Sequence, residues 1–207
     1  YIASHDLQEP LRMVTSFLTL LNKKYGADFD ETASSYIDFA VDGAKRMRQL
    51  ILDLLEYSRV GKSNEAEEFI DLNILITEIK ILYRKQIEEM NASIIVMEPL
   101  PLVNFHKSPL MQLFQNLISN ALKYSRENVA PIVKISFTED DGYWEFKVED
   151  NGIGIDEEYF EKIFVIFQRL HNKDEYSGTG MGLAVTKKIV ESLGGKIGVK
   201  SSMNVGS

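Results

Sequence analysis

The sequence contains no cysteine among its 207 residues. Disulfide bonds, thiolate catalysis and cysteine-ligated zinc are therefore excluded, and a reducing, cytoplasmic location is the simplest expectation. No apolar run approaches the ~18 residues that a membrane-spanning helix needs, and no signal-peptide pattern is present. We therefore expect no contact with a membrane through this stretch of chain.

An excess of basic residues is also missing. The net charge is −8, with 7 Lys or Arg against 9 Asp or Glu in residues 1–61, and 16 against 22 in residues 62–207. Both parts are acidic, so the chain lacks the electrostatic footprint of a nucleic-acid-binding protein. A phosphate ligand would have to be held by local geometry against this overall charge.

Two amphipathic helices are predicted at the start of the chain. Over residues 2–24, apolar side chains recur at three- and four-residue spacing: Leu7, Leu11, Val14, Leu18 and Leu21. Gly26 is the expected stop, and Asp30 is the expected N-cap of a second helix over residues 32–60. The short loop predicts an antiparallel hairpin. A lone hairpin leaves part of its apolar stripe exposed, so we expect a homodimeric four-helix bundle, with packing against the rest of the chain as the alternative.

After a polar, acidic linker at 62–68, the pattern changes to a mixture of strands and helices. Strands are predicted at 69–72, 92–97, 132–140, 143–150 and 196–202, and helices at 73–90, 107–123 and 182–193. Asp141-Gly142 is a strong hairpin signal between two of these strands. The mixture indicates an α/β two-layer sandwich. The predicted domains are a helical hairpin at 1–61 and an α/β domain at 69–207.

The predicted helix at 107–123 carries a polar face. Asn116, Asn120 and Lys123 fall at i, i+4 and i+7, on one side of the helix. The opposite side is apolar and consists of Leu110, Leu113, Phe114, Leu117 and Ala121. Such a polar face is commonly only solvated. Two amides and a lysine are nevertheless the groups that a magnesium–phosphate site needs, because Mg²⁺ takes oxygen ligands and lysine adds a cation for phosphate oxygens.

Two glycine-containing stretches follow. "VEDNGIGID" places Asp150 at a strand end, where its carboxylate could accept a hydrogen bond from an exocyclic amine, and Gly152 and Gly154 allow close backbone approach. An ordinary Asp-Asn-Gly turn is the alternative. "SGTGMGLAV" at 177–185 opens a helix whose N-terminus favours anions. It has neither the P-loop nor the Rossmann spacing.

The order of these motifs is more specific than any one of them. An N-x-x-x-N-A-x-K-Y helix is followed by D-N-G-I-G, the aromatic stretch "FEKIFVIFQR" and G-T-G-M-G-L. This order resembles the ATP-binding domain of the sensor histidine kinases, whose nucleotide fold is shared with DNA gyrase and the mismatch-repair ATPases. The hairpin resembles the family's dimerisation and phosphoacceptor domain. "SHDLQEPLR" at 4–12 stands at the phosphoacceptor histidine and resembles the phytochrome-associated branch.

The resemblance implies a role for each matched residue. His5 would take the γ-phosphoryl of ATP, and Asp6 would hold its other ring nitrogen. Asn120 would coordinate Mg²⁺, with Asn116 as a second candidate ligand. Asp150 would read the adenine amine, and Arg169 would reach the γ-phosphate. The implied nucleotide-binding residues are Asn116, Asn120, Lys123, Tyr124, Asp150, Gly152, Gly154, Arg169, Gly178, Thr179, Gly180 and Gly182. Gly178, Gly180 and Gly182 would form the hinge of a lid.

The implied function is Mg-ATP-dependent autophosphorylation of His5 and phosphotransfer to a response-regulator aspartate. The implied partners are a second copy of the chain, a receiver domain and an upstream sensor domain. Many family members have Thr or Asn where this chain has Glu9, so we expect weak phosphatase activity. The family normally adds one more strand at the C-terminus and begins its first helix further upstream, so we expect a longer parent protein.

Two other functions remain open. A gyrase-type ATPase is disfavoured because Asn116 stands where those enzymes carry a glutamate general base. A degenerate kinase that acts as a dimeric binding module is disfavoured by the intact Asn120, Asp150 and glycine set. His106 and His171 lack clustered ligand partners, so we expect no metal there.

Overall fold

The computed structural model describes residues 2–61, 65–140, 142–170 and 178–207, without the side chains of residues 2–7 and 140. The chain divides into two compact units, Tyr1–Arg59 and Val60–Ser207. Within the described residues, no helix is long and apolar enough to cross a membrane.

The first unit is the predicted helical hairpin. Helix α1 spans Ile2–Tyr25, a 3₁₀ turn spans Gly26–Asp28, and helix α2 spans Glu31–Arg59. Asp30 caps α2 as expected, because its Oδ1 accepts a hydrogen bond from the backbone N–H of Ala33 at 2.7 Å. The capping signal and the helical periodicity therefore placed both helices within about two residues.

The described hairpin leaves large apolar side chains exposed along both helices. The exposed apolar side chains include Met13, Val14, Phe17 and Leu20 on α1, and Tyr36, Phe39, Met47 and Leu54 on α2. Phe17 and Phe39 are 65% and 70% exposed, whereas Ala44 is buried in the hairpin. Positions 36, 39, 47 and 54 are separated by three, eight and seven residues and lie on one side of the helix, so these exposed residues of α2 form an apolar stripe.

The second unit contains two sheets. Strand β1 (Glu68–Asp71) pairs antiparallel with β3 (Leu102–Phe105). In the three-stranded sheet, β2 (Ser93–Val96) runs parallel to β4 (Ile132–Asp140), and β4 pairs antiparallel with β5 (Tyr143–Asp150). The order of this sheet is β2-β4-β5. The hairpin predicted at Asp141-Gly142 is therefore confirmed, with Gly142 at φ 80°.

Four helices accompany these sheets: α3 (Leu72–Leu82), α4 (Arg84–Glu89), α5 (Lys107–Lys123) and α6 (Gly182–Ser192). Helices α5 and α6 pack against each other. The core is formed by apolar side chains of these helices and of β4, with Ile79, Ile118, Leu122, Val133, Ile135 and Ile189 completely buried. Helices covering a sheet confirm the predicted two-layer α/β architecture.

Three elements differ from the sequence prediction. The helix predicted at 73–90 is interrupted at Tyr83 (φ −95°, ψ 11°), because the buried stripe of α3 ends at Ile79 and Leu82 is 62% exposed. Strand β3 was not predicted, since it is only four residues long and follows two prolines. The final strand predicted at 196–202 is wrong.

The C-terminal residues instead form a turn. Residues 196–201 have no regular secondary structure, and Ser202 and Gly206 form an isolated antiparallel bridge. The carbonyl of Ser207 accepts a hydrogen bond from the N–H of Asp150 at 2.8 Å. A strand needs a continuous ladder of such bonds, and here one terminal residue reaches the end of β5. We name residues 201–207 the C-terminal turn.

Helix α5 is anchored at its start by residues from other parts of the second unit. The carboxylate of Glu65 accepts hydrogen bonds from the N–H and the hydroxyl of Ser108, and these bonds lower the pKa of Glu65. Lys107 forms an ion pair with Glu78 of α3 at 2.9 Å. Glu65 therefore satisfies one of the N–H groups that a helix start leaves without an intrahelical acceptor.

Candidate functional site

The polar face of α5 forms one side of the candidate site. Asn116, Asn120 and Lys123 are all half-buried, whereas Leu113 and Ile118 on the other face are buried. The apolar face matches the prediction at most positions: Leu110, Leu113, Phe114 and Ala121 are buried. Leu117 is only half-buried, and Ile118 and Leu122 complete the core face instead. Both side chains are completely buried.

Asn116 connects α5 to the start of α6. Its Nδ2 donates a hydrogen bond to the carbonyl of Gly182 at 3.1 Å, although 66 residues separate the two in sequence. With the amide nitrogen used in this way, the amide oxygen is the group that can accept or ligate. The asparagine motif of α5 and the G-T-G-M-G motif at the start of α6, which were predicted to act together, are therefore in direct contact.

Lys123, Tyr124 and Gly178 converge at the end of α5. The Nζ of Lys123 donates to the hydroxyl of Tyr124 at 2.7 Å and lies 4.3 Å from the centroid of its ring. A β-carbon at Gly178 would lie 3.0 Å from the same Nζ. Because Gly178 has a φ of 131°, both the backbone conformation and the space beside the ammonium group favour glycine.

Asp150 occupies the end of β5, as predicted. Its Oδ1 accepts a hydrogen bond from the N–H of Gly152 at 2.8 Å. Burial raises the pKa of Asp150, while hydrogen bonds from the backbone N–H groups of Gly152 and Ser207 oppose that rise. A carboxylate has about four lone-pair sites on its two oxygens, so Asp150 can accept from a donor outside the protein in addition to these two backbone N–H groups.

Gly152 and Gly154 are buried, and each is closely approached by another backbone segment. A β-carbon at Gly152 would collide with the carbonyl oxygen of Tyr124 and lie 2.8 Å from Oδ1 of Asp150. A β-carbon at Gly154 would collide with the carbonyl oxygen of Ser202, and Gly154 also has a φ of 73°. The absence of side chains at these glycines therefore lets the turn after β5 pack closely against the C-terminal end of α5 and against the C-terminal turn.

The second glycine-rich stretch lies beside the end of the aromatic motif. Gly180 has a φ of 77°, and a β-carbon there would lie 2.5 Å from the carbonyl oxygen of Gln168. Gln168 directly precedes Arg169, which is half-buried, as is Thr179. The structure therefore brings the "FQR" and G-T-G-M-G motifs together around Gly180. Residues 171–177, which include His171 and most of the predicted lid, lie outside the described residues.

The predicted phosphoacceptor pair is described only in part. The backbone of His5 and Asp6 lies in α1, but their side chains are outside the described residues. His106 precedes α5, and its ring centroid lies 4.9 Å from that of Phe105. Among the described residues, no group of three His, Asp or Glu side chains could hold a metal ion.

Sequence reasoning missed a set of polar contacts behind Asp150. The guanidinium of Arg126 donates to the carbonyls of Asn151 and Asn204, each at 2.8 Å. The side chain of Asn151 accepts from the N–H of Ile132 at 2.8 Å and donates to the carbonyl of Ala130 at 3.0 Å. These contacts join loops, and a loop arginine or asparagine has no periodic signal that could have identified it.

The fold and the site together define an ATPase-type α/β domain that follows a helical hairpin. Comparison with protein families agrees with this class. Residues 1–63 match the His Kinase A (phospho-acceptor) domain. Residues 106–207 match the histidine kinase-, DNA gyrase B- and HSP90-like ATPase family.

Individual relatives define the family further. The chain is 45% identical over 207 residues to the phytochrome-like protein Cph1 of Synechocystis sp. and to cyanobacterial phytochrome A of Nostoc sp.. In both cases the match covers 100% of this chain and 27% of the relative, so the chain spans about a quarter of their length. The chain belongs to the sensor histidine kinases, and the resemblance to the phytochrome-associated branch is confirmed.

Solved structures agree with this assignment. Full-length ShkA in complex with AMPPNP superposes with a TM-score of 0.71 at 25% identity, covering 99% of this chain and 43% of that one. The histidine kinase ThkA in complex with the response regulator protein TrrA superposes with a TM-score of 0.63 at 25% identity, covering 99% and 57%. The order of a helical hairpin followed by an α/β nucleotide domain is thus shared across the whole chain.

Proposed function

We propose that this chain is a kinase core that transfers the γ-phosphoryl group of ATP to His5 and then to an aspartate of a response-regulator receiver domain. One observation carries the nucleotide part of this proposal: Lys123, Asp150 and the glycine-rich start of α6 all lie around the second half of α5. Asn116 contacts Gly182, Gly152 abuts Tyr124, and Gly178 lies beside Lys123.

The residues present fit Mg-ATP. The amide oxygens of Asn120 and Asn116 are suitable Mg²⁺ ligands, and a bound Mg²⁺ would neutralise charge on the nucleotide phosphates. Lys123 and Arg169 supply cations for phosphate oxygens. The remaining acceptor capacity of the Asp150 carboxylate serves the adenine amine, and the buried glycines 152 and 154 shape the base pocket by letting the turn after β5 pack closely on the carbonyls of Tyr124 and Ser202. Gly178, Gly180 and Gly182 form the hinge of the lid, with Thr179 between them.

The transfer steps use the hairpin. A ring nitrogen of His5 forms a bond to the γ-phosphorus while the bond from that phosphorus to the bridging oxygen breaks, and ADP leaves. Asp6 accepts a hydrogen bond from the other ring nitrogen, which fixes the tautomer and stabilises the positive charge. The phosphoryl group then passes to a carboxylate oxygen of the receiver aspartate, and the imidazole is restored. The match of residues 1–63 to the phospho-acceptor domain supports these proposed roles.

Several partners follow from the same reading. The exposed apolar stripe along α2 supports a homodimeric four-helix bundle, since a second hairpin would cover it. ThkA bound to TrrA supports a receiver domain as the phosphoryl acceptor. The greater length of the phytochrome relatives supports an upstream sensor domain. We propose the domain limits 1–61 and 69–207, joined by a linker at 62–68, and a cytoplasmic location.

Glu9 bears on the reverse reaction. Its carboxylate is 49% exposed and lies 3.9 Å from the guanidinium of Arg12, one turn along α1. A carboxylate one helical turn from the phosphoacceptor repels both a phosphoaspartate and an attacking hydroxide. We therefore propose that dephosphorylation of the partner regulator is weak.

Phosphorylation of His5 is tested directly with γ-labelled ATP and Mg²⁺. The purified chain should become labelled, and the label should be lost in acid and retained in alkali. His5→Gln should abolish labelling, whereas His106→Gln, a matched histidine variant outside the proposed machinery, should retain it. Label that persists in His5→Gln contradicts the proposal.

The same preparation separates the two other functions. A gyrase-type ATPase predicts steady multi-turnover hydrolysis that survives loss of His5. A degenerate binding module predicts no heat of Mg-ATP binding in a calorimetric titration, with the dimer still present.

A further inference from the structure

Arg126 lies three residues beyond the end of α5 and bonds two segments that are distant in sequence. Its Nε donates to the carbonyl of Asn151 at 2.8 Å, 25 residues away. Its Nη1 donates to the carbonyl of Asn204 at 2.8 Å, 78 residues away. Asn151 directly follows Asp150, and Asn204 belongs to the C-terminal turn. We name this arrangement the Arg126 clamp.

The guanidinium group suits this position because its N–H donors have a fixed, planar geometry. Nε and Nη1 can satisfy two carbonyl acceptors from different segments without changing their relative angle. A lysine ammonium offers a single nitrogen on a flexible stem, so it would not impose the same angle on both carbonyls.

The clamp closes a network around the turn after β5. The N–H of Ile153 donates to the carbonyl of Tyr124 at 3.0 Å, and the N–H of Asn204 donates to the carbonyl of Ile153 at 2.7 Å. The turn after β5 is thus bonded on one side to Tyr124 at the end of α5 and on the other side to Asn204. Arg126 bonds both this turn, at Asn151, and Asn204. Backbone hydrogen bonds connect the turn after β5 with the end of α5 and with the C-terminal turn. The guanidinium of Arg126 adds side-chain bonds to the turn after β5 and to the C-terminal turn.

The segments behind Asp150 are in very close contact. A β-carbon at Gly206 would collide with the carbonyl oxygen of Asp150. The N–H of Asp150 donates to the carbonyl of Ser207 at 2.8 Å. The C-terminal turn is therefore the support against which the backbone of Asp150 rests, and a shift of that turn would move the Asp150 carboxylate.

We propose that Arg126 is a positioning residue for recognition of the nucleotide base. It fixes the carbonyl of Asn151 and the C-terminal turn, and through them the direction of the Asp150 carboxylate, without touching the nucleotide itself. This inference rests on the proposed function, in which Asp150 accepts a hydrogen bond from the adenine amine. A carboxylate held in one direction discriminates between an amine and a carbonyl, whereas a mobile one discriminates less well.

The test compares ATP with inosine triphosphate, which carries a carbonyl in place of the amine. Dissociation constants for both are measured by calorimetry on the purified chain and on Arg126→Met. Groups that orient a direct ligand contribute about 10–100-fold at metal sites, and we expect about tenfold here. The ATP constant should rise about tenfold and that of inosine triphosphate should hardly change, so the preference for ATP should shrink.

Arg126→Lys provides partial rescue, because an ammonium can retain one of the two carbonyl contacts. It also keeps the test usable if Arg126→Met fails to fold. Arg84→Met is the matched control: Arg84 is an exposed arginine of α4, paired with Glu88 at 2.7 Å, and its loss changes net charge by the same amount. Both dissociation constants should be unchanged in this control.

The outcomes separate this inference from the proposed function. If affinity for both nucleotides falls in parallel in both Arg126 variants, Arg126 has only a structural role and the inference is wrong. If Asp150→Asn abolishes the preference for ATP while Arg126→Met leaves it intact, the inference fails and the base-reading role of Asp150 stands. If Asp150→Asn leaves the preference unchanged, the base-reading role fails and the inference fails with it.

Discussion

Replacing Asp150 with asparagine changes one oxygen of the proposed base pocket to an amide nitrogen and preserves the size of the side chain. In the native site, Oδ1 of Asp150 accepts from the N–H of Gly152 at 2.8 Å, the N–H of Ser207 also donates to the carboxylate, and the remaining acceptor capacity serves the adenine amine. Asparagine has a single oxygen, which would have to serve Gly152, Ser207 and the base. In the absence of nucleotide that oxygen serves the backbone donors, so the NH₂ group of asparagine would face the incoming amine.

The size of the effect follows from the bonds involved. A hydrogen bond to a charged acceptor contributes about 1.5–3 kcal/mol, and a donor left without a partner costs about 1–3 kcal/mol more. The two terms amount to about 2.5–6 kcal/mol, and at 1.4 kcal/mol for each factor of ten the dissociation constant of ATP should rise about 10²–10⁴-fold.

Calorimetric titration of Mg-ATP into the purified variant measures this change. Asp156→Asn is the matched control, because the exposed Asp156 accepts only a local bond from the N–H of Glu158 at 3.1 Å and lies six residues further along the chain. Its dissociation constant should equal that of the unmodified chain. An increase below about fivefold in Asp150→Asn, well under the range from the bond energies above, would refute the reasoning that this carboxylate reads the base.

The same variant should keep its fold. Burial raises the pKa of Asp150 in the folded chain, so the folded state favours the protonated carboxyl. The stability contributed by that protonation is fully present below the unfolded pKa and is lost as the pH rises through the raised folded value. At neutral pH the ionised group contributes none of it, and Asp150→Asn without nucleotide should unfold thermally at no lower temperature than the native chain.

Two further predictions concern the same turn. Gly152→Ala should lower the free energy of unfolding by about 1–3 kcal/mol in urea denaturation, because the added methyl group collides with the carbonyl of Tyr124. The control Gly198→Ala has open space around the added methyl group and should change this free energy little. Equal stability of the two variants would contradict the close contact at Gly152. The affinity for ATP should fall on acidification at a higher pH than the ordinary pKa of an aspartate, because Asp150 loses its acceptor charge when it is protonated. A titration series across pH should show this fall in the native chain, and an equal fall in Asp150→Asn would assign it to another group.

Local signals predicted those elements that local interactions determine. The bounds predicted for α5, β4 and β5 coincide with the observed ones, because helical periodicity and an Asp-Gly turn are written in neighbouring residues. Asp30 was identified as an N-cap for the same reason. The final strand could not be judged in this way, since a strand at 196–202 depends on a partner edge that neighbouring residues do not encode.

In the candidate site too, residues within local motifs could be predicted, whereas a residue that acts through contacts distant in sequence could not. Asn116, Asp150 and the glycines could be predicted as site residues because their spacing forms motifs, and the structure brings Asn116 to Gly182 and Gly152 to Tyr124. Arg126 escaped detection because its two acceptors are backbone carbonyls, which every residue carries. Only the folded chain shows which carbonyls a loop arginine reaches.

The contact between Glu65 and Ser108 connects the acidic stretch before β1 to the start of α5. The carboxylate of Glu65 is hydrogen-bonded to the first turn of α5, so a pull on the backbone at residue 65 is delivered to that helix. Asn116, Asn120 and Lys123 belong to the same helix. A displacement of residue 65 would therefore be transmitted through α5 to the side of the helix that carries the proposed phosphate-binding residues.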